Sequence, residues 1–265
     1  MKDTLTFSLI QTDLAWENPE CNLAMLETKM NGLVGKTEVV VLPEMFSTGF
    51  TMQPHLYAQT MDGDTVKWMQ ALSKKLKIII AGSLSIEENG QYYNRLIWML
   101  PNGQLGYYNK RHLFAYANEH QHYTPGNSRS IAQINGWKIN LQICYDLRFP
   151  VWARQQPAAN EAAEYDVLLY VANWPDKRSH AWSHLLTARA IENQCYVIGV
   201  NRVGTDGHQL YHSGNSCVID AMGETLYQCA HSEDITTITL HKAHLQQVRA
   251  NMPFLNDADS FLLIP

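Results

Sequence analysis

The chain has 265 residues, of which 46% are hydrophobic and 17% charged, and a formal net charge of −5. That length can bury about 70–75% of the unfolded surface, and the composition is ordinary for a globular enzyme. The acidic balance argues against a nucleic-acid partner, which needs a basic face, and no apolar run approaches the ~18 residues that span a bilayer.

Apolar patterning places strands and helices in alternation. The spacing predicts a strand over 4–10, a helix over 18–33, a fully apolar strand over 38–42, a helix over 65–76 and a strand over 78–84. Residues 92–100 and 104–109 read as a hairpin through Pro101-Asn102-Gly103, a sequence suited to a turn. A second hairpin pairs 131–134 with 138–143 across Asn135-Gly136. Then come a partly helical stretch over 152–163, a buried strand over 166–171 and a helix over 179–193 with Ser179 as its N-cap. A buried strand over 195–200 and a hairpin of 216–219 with 225–228 follow, and from Asp257 a strand-like tail leaves the domain. Many fully apolar strands imply sheets covered on both faces, hence an α/β protein.

Cys21, Cys144, Cys195, Cys217 and Cys229 are odd in number and widely spaced. Neither a disulfide framework nor a zinc ribbon is suggested, and a reducing compartment fits best. The N-terminus shows no basic leader with an apolar segment behind it, so the expected location is the cytoplasm.

Three strand ends carry ionisable side chains. Cys144 closes the apolar run Leu141-Gln142-Ile143, and a charged, helix-compatible stretch follows. A lone cysteine is most often a buried structural residue. At this position, however, amide N–H groups of a helix start would favour a thiolate and receive an oxyanion. Glu44 ends Val39-Val40-Val41-Leu42-Pro43, and Lys110 ends Gly106-Tyr107-Tyr108-Asn109. Together they make a chemical set: a carboxylate to take a thiol proton, a thiolate to attack a carbonyl, and an ammonium to stabilise negative charge. Met45, Phe46 and Phe50 are available to wall Glu44. His112, His120 and His122 cluster in sequence, and His180 and His184 are spaced i, i+4. Neither group has the further ligands of a tetrahedral site, so no metal is expected and the second pair is expected on a helix surface. Arg189 reads as structural, tied to Glu192 or a nearby loop, and Arg148 as a partner of Asp146.

These strings, with Val171-Ala172-Asn173-Trp174-Pro175, Thr187-Ala188-Arg189-Ala190-Ile191-Glu192-Asn193-Gln194 and Asn201-Arg202-Val203-Gly204 downstream, resemble the Glu–Lys–Cys signatures of the nitrilase superfamily of carbon–nitrogen hydrolases. The resemblance runs from the first strand to about residue 230 and is nearest to the omega-amidases, which hydrolyse the terminal amide of 2-oxo acids such as 2-oxoglutaramate. It implies a four-layer αββα sandwich, with residues 1–265 as one hydrolase domain and 257–265 as a tail that reaches a neighbour. It also implies a homodimer or higher homo-oligomer packed through a helical layer, a small amide as substrate and no cofactor. By the same resemblance Glu44 is the general base, Cys144 the nucleophile, and Lys110 with the Tyr145 N–H the oxyanion donors, while Glu119 orients Lys110. Phe46 and Trp174 are assigned to the substrate pocket by their places past strand ends. Arg178 is assigned to the substrate carboxylate, since a buried carboxylate needs a partner. N-carbamoyl-amine hydrolases and aliphatic amidases or nitrilases share the triad, and a non-catalytic metabolite-binding or interaction protein on the same fold is the alternative of a different class.

Overall fold

The computed structural model describes residues 2–156 and 163–263. In chain order the first half runs β1 (Thr4–Gln11), α1 (Pro19–Asn31), β2 (Val39–Val41), α2 (Pro54–Tyr57), α3 (Asp64–Leu76), β3 (Ile79–Glu88), β4 (Gln91–Met99), β5 (Leu105–Asn109) and α4 (Glu119–His122). The second half runs β6 (Ile131–Ile134), β7 (Trp137–Ile143), α5 (Pro150–Ala153), β8 (Val167–Ala172), α6 (Ser179–Asn193), β9 (Tyr196–Asn201), β10 (Val203–Thr205), β11 (Tyr211–Ile219), β12 (Thr225–Ala230), β13 (Asp234–His241) and α7 (Lys242–Asn251). One sheet has the order β13-β1-β2-β3-β4-β5, and the other β10-β11-β9-β8-β7-β6, with β12 paired to β11.

The two-residue alternation of the strands builds the four layers. In β8, Val167, Leu169 and Val171 face the other sheet, where they meet a core that includes Leu5, Phe7, Leu9, Val39 and Val41. The alternate residues Leu168, Tyr170 and Ala172 face outward onto Trp182, Leu186 and Ala190 of α6. The first sheet does the same: Val40, Ile80 and Ile97 pack outward with Leu26 and Met30 of α1 and Met69, Leu72 and Leu76 of α3. Burial on both faces is why these strands read as unbroken apolar runs. Each such side chain contributes roughly 1.5–3 kcal/mol on burial. The architecture is therefore the αββα sandwich.

Several elements differ from the sequence expectation. β3 continues past Leu84 to Glu88 and turns through Asn89-Gly90 into β4; Asn-Gly is itself a strong hairpin sequence. β11 begins at Tyr211 rather than at residue 216. β13 and α7 were not expected. The inward positions of β13 include Asp234 and Thr236, while Ile235 faces outward, so its apolar residues do not alternate. Ser179 does not cap α6: the cap residue is Arg178, and a short 3-10 turn over Asp176–Arg178 runs directly into the helix. The stretch expected to be partly helical over 152–163 is helical only through Ala153, and its remainder falls largely outside the described residues. The tail from Asp257 has no strand through Leu263, which packs back on the core beside Phe149 and Trp152.

Candidate active site

β2 runs parallel to β1 and β3, and β8 parallel to β7 and β9, and the ends of β2, β7 and β8 meet on the same side of the sandwich, where Asn173 after β8 bonds Glu44 after β2. Open α/β sheets place ligands at such carboxyl ends. Beyond β2 comes Pro43, then Glu44; beyond β5 is Lys110; beyond β7 is Cys144; beyond β8 are Asn173 and Trp174. Two residues here adopt left-handed backbone, Met45 at φ 44° and Cys144 at φ 43°. For non-glycine residues that conformation costs about 1 kcal/mol or more and persists only where the surroundings impose it.

At Cys144 the imposing group is Asp146. Its buried carboxylate accepts from the Ile143 N–H (3.1 Å), the His112 N–H (2.9 Å) and the Tyr108 hydroxyl (2.8 Å). His112 Nδ1 lies 2.8 Å from the same carboxylate, and Trp152 Nε1 donates to the Tyr108 hydroxyl at 2.9 Å. These bonds pin the 3-10 turn Cys144–Arg148 against β5. Arg148 is therefore not the partner of Asp146; its guanidinium stands 5.0 Å from the Trp174 ring instead. Arg189 does tie to Glu192, at 3.0 Å, and also donates to the Leu147 carbonyl at 2.6 Å.

Glu44, Lys110 and Glu119 form one fully buried ionic group. Lys110 Nζ donates to Glu44 Oε1 at 2.9 Å and to both Glu119 oxygens at 3.0 and 2.9 Å. Asn94, from β4, donates to Glu44 at 2.8 Å and to Glu119 at 3.3 Å. The second Glu44 oxygen accepts from the Asn173 N–H at 2.8 Å, and the Phe114 N–H donates to Glu119 at 2.5 Å. Burial alone would lower the Lys110 pKa, but Glu119 and then Glu44 overcome it and raise it. The ammonium is thus fixed as a cation. Burial pushes Glu119 up, with Lys110 opposing.

Cys144 sits within the field of all three. Its pKa is raised well above the ordinary thiol value, first by burial and next by Glu44, with Lys110 opposing. The resting group is a thiol, not the thiolate expected from amides at a helix start, because desolvation and a carboxylate outweigh the single nearby ammonium. Such a thiol needs a base at the moment of attack, and Glu44 is the adjacent one.

Cys144 opens onto a cavity of about 310 Å³ lined by Phe50, Met52, Phe114, Tyr145, Trp174 and Leu210 among others, with Arg148 and Arg178 also on its wall. This is the small end of the range for small-molecule sites. Phe50 rather than Phe46 faces the ionic group, its ring centroid 4.9 Å from Lys110 Nζ. Phe46, expected on the pocket wall, is instead fully buried in the outer core of the first sheet, against Trp68 and over Gly82, where an added Cβ would come within 2.7 Å of its ring. Trp174 is both buried and on the cavity wall, and its Nε1 donates to the Arg178 carbonyl at 2.8 Å. Arg178 lines the cavity with its guanidinium 5.0 Å from the Phe114 ring. Asn94, Asn173 and Asp146 had no site role in the sequence reading. His180 and His184 stack on the exposed face of α6, and His120 and His122 are exposed.

Residues 8–250 match the carbon–nitrogen hydrolase family. The chain is 42% identical over 260 residues to the omega-amidase YafV of Escherichia coli K12, covering 98% of each chain. It is 31% identical to the 2-oxoglutaramate amidase of Bacillus subtilis, covering 95% of this chain and 96% of that one. Among solved structures, XC1258 of Xanthomonas campestris, a superfamily protein with an arsenic adduct in its active site, superposes with a TM-score of 0.96 at 41% identity, covering 99% of this chain and all of that one. The match extends through every strand that carries the site, and the chain belongs to the carbon–nitrogen hydrolase family, as a hydrolase of amide carbon–nitrogen bonds.

Proposed function

We propose that this hydrolase releases ammonia from the terminal amide of small 2-oxo acids such as 2-oxoglutaramate, through an acyl thioester on Cys144. The observation that carries the reading is the buried Lys110, clamped between Glu44 and Glu119 beside Cys144 at the edge of a small cavity. The substrate class follows the two relatives named for omega-amides and the cationic wall of that cavity.

In this mechanism Glu44 takes the Cys144 proton as sulfur attacks the amide carbon. Negative charge moves to the carbonyl oxygen, where Lys110 and the Tyr145 N–H receive it. Each such donor is typically worth about 3–4 kcal/mol in the transition state. Glu44 returns the proton to the amide nitrogen, the C–N bond breaks and ammonia leaves. Water, deprotonated by Glu44, then attacks the thioester. The second tetrahedral intermediate collapses to the carboxylic acid, and sulfur recovers its proton. Glu119 holds Lys110 in place throughout and keeps it charged. Every step is proton or acyl transfer, so the reading needs no cofactor.

The test is ammonia release from 2-oxoglutaramate, 2-oxosuccinamate, glutamine, a carbamoyl amine and an aliphatic nitrile. The two 2-oxo amides should lead in kcat/KM by about tenfold or more. Preference for the carbamoyl amine or the nitrile would replace the omega-amidase reading.

The reading also places the enzyme in the cytoplasm as one hydrolase domain that forms homodimers. Five unpaired cysteines suit a reducing compartment. The family match spans most of the chain, and Ile191 stands exposed on α6, with the exposed Met222 in the β11–β12 turn, whose Gly223 lies against Ile191. Fractionation and the solution mass check these two assignments.

A further inference from the structure

The tail that follows α7 comes back to the residues that support the turn carrying Cys144. Phe261 and Leu263 are half-buried and Leu262 between them is 84% exposed, the pattern of an extended segment with one face down. Leu263 packs beside Phe149 on the inner core and, with Arg111, His112, Val151 and Trp152, lines a cavity of about 230 Å³. This cavity shares no lining residue with the one onto which Cys144 opens.

Two short chains of contact lead from that seat to the nucleophile. In the first, Trp152 Nε1 donates to the Tyr108 hydroxyl at 2.9 Å, the hydroxyl donates to Asp146 at 2.8 Å, and the Asp146 carboxylate accepts from the Ile143 N–H at 3.1 Å, one residue before Cys144. In the second, Phe149 stacks on His112 with ring centroids 3.9 Å apart, and His112 Nδ1 lies 2.8 Å from Asp146. Phe149 also meets the Tyr145 ring edge-on at 5.1 Å, and Tyr145 supplies the oxyanion N–H of the proposed mechanism. Cys144 has left-handed backbone at φ 43°, which persists only while its surroundings impose it. Asp146 imposes it, Trp152 and Phe149 keep the donors to Asp146 in line, and Leu263 is what the tail lays against those two rings.

We infer that Leu263 is a positioning residue for the reaction: the C-terminal tail straps the Trp152 and Phe149 layer and so holds Cys144 and the Tyr145 N–H in register with the amide carbon. This rests on the Cys144 thioester reading above and goes beyond it by giving the tail a part in turnover. Leu263 lines no part of the substrate cavity, so its loss acts on the rate of the chemical steps and not on substrate binding.

The experiment compares full-length wild type, Leu263→Ser, Leu263→Met and Leu262→Ser in ammonia release from 2-oxoglutaramate, with the unfolding midpoint of each. Leu263→Ser should lower kcat at least fivefold and leave KM within about twofold. Leu263→Met should hold kcat within about twofold of wild type, because methionine fills similar space. Leu262→Ser, one residue away on the exposed face, should change neither constant. All four should be folded at the assay temperature, so that a lower kcat is not a smaller amount of folded enzyme. If Leu263→Ser is not, Leu263→Ala takes its place, and the same pattern is expected at smaller size. Equal kcat in the two serine variants, a loss carried by KM alone, or a methionine variant as slow as the serine one would overturn the strap and leave the thioester reading intact. A Cys144→Ala variant that keeps a tenth of the wild-type kcat would overturn the thioester reading itself, and the strap with it.

Discussion

Glu44 and Asn173 hold each other at two points although they are 129 residues apart. The Asn173 N–H donates to the Glu44 carboxylate at 2.8 Å, and the Asn173 side chain donates to the Glu44 main-chain carbonyl at 2.5 Å. One bond sets the carboxylate and the other sets the backbone that carries it. Together they join the end of a strand in one sheet to the end of a strand in the other. Asn173→Ala keeps the first bond and removes the second. A hydrogen bond of this kind is worth about 0.5–1.5 kcal/mol, and one to a charged group about 1.5–3. Asn173→Ala should therefore lower kcat about tenfold with little change in KM. Asn94→Ala strips a donor from both Glu44 and Glu119 and should lower it ten- to a hundredfold. Steady-state ammonia release reads both.

Lys110→Met should cost stability as well as activity. It leaves Glu44 and Glu119 buried at 0% exposure without their shared cation. Breaking a buried pair by removing one partner typically costs about 3–5 kcal/mol. Urea unfolding measures this. A variant as stable as wild type would show that the two carboxylates do not depend on Lys110.

Phe46 and Phe50 flank the same turn and should separate cleanly on mutation. Phe46→Ala removes a fully buried ring from the outer core and should destabilise by about 3–5 kcal/mol, leaving KM of the folded enzyme within about threefold. Phe50→Ala opens the wall beside Lys110 and should raise KM or lower kcat by tenfold or more at smaller cost in stability. Denaturant titration and kinetics on the same preparations decide it.

His212 supplies a pH dependence of stability. It is 2% exposed, and burial lowers its pKa from 6.5 to about 4, with Arg202 adding and Asp206 opposing. The folded state therefore favours the neutral ring. The unfolded chain binds the proton first as pH falls, so this contribution is complete above about 6.5 and is lost progressively between about 6.5 and 4. Its size is at most on the order of 3 kcal/mol. Unfolding free energy should fall over that window, and His212→Asn should flatten the slope. An identical slope in the variant would assign the acid loss to other groups.

The strand-end placement of Glu44, Lys110 and Cys144 was legible because each ends a run of apolar or aromatic strand residues. Glu119 was legible only through family resemblance, since it opens the four-residue helix α4 with no local mark of burial. Asn94 and Asn173 were not legible as site residues. The hairpin of β4 with β5 was legible, but not that Glu44 from the end of β2 and Glu119 would converge on Asn94, or that the end of β8 would bring Asn173 to Glu44. Asp146 was misread for a related reason: Arg148 is near it in sequence, but the donors that claim it come from β5, the residues just after it and the β7 end. Proximity in sequence misled at Phe46 too, because the left-handed Met45 turns the chain and sends the ring toward α3. β13 was hidden by its mixed inner face.

In the proposed mechanism Cys144 carries the acyl group, and acid quenching during turnover of 2-oxoglutaramate traps it there. Intact mass followed by peptide mapping should find one 2-oxoglutaryl group per chain, on the peptide that holds Cys144, and none in Cys144→Ala, whose ammonia release should fall by far more than tenfold. An acyl group on another residue, or a Cys144→Ala variant that keeps a tenth of the wild-type kcat, would contradict the thioester mechanism.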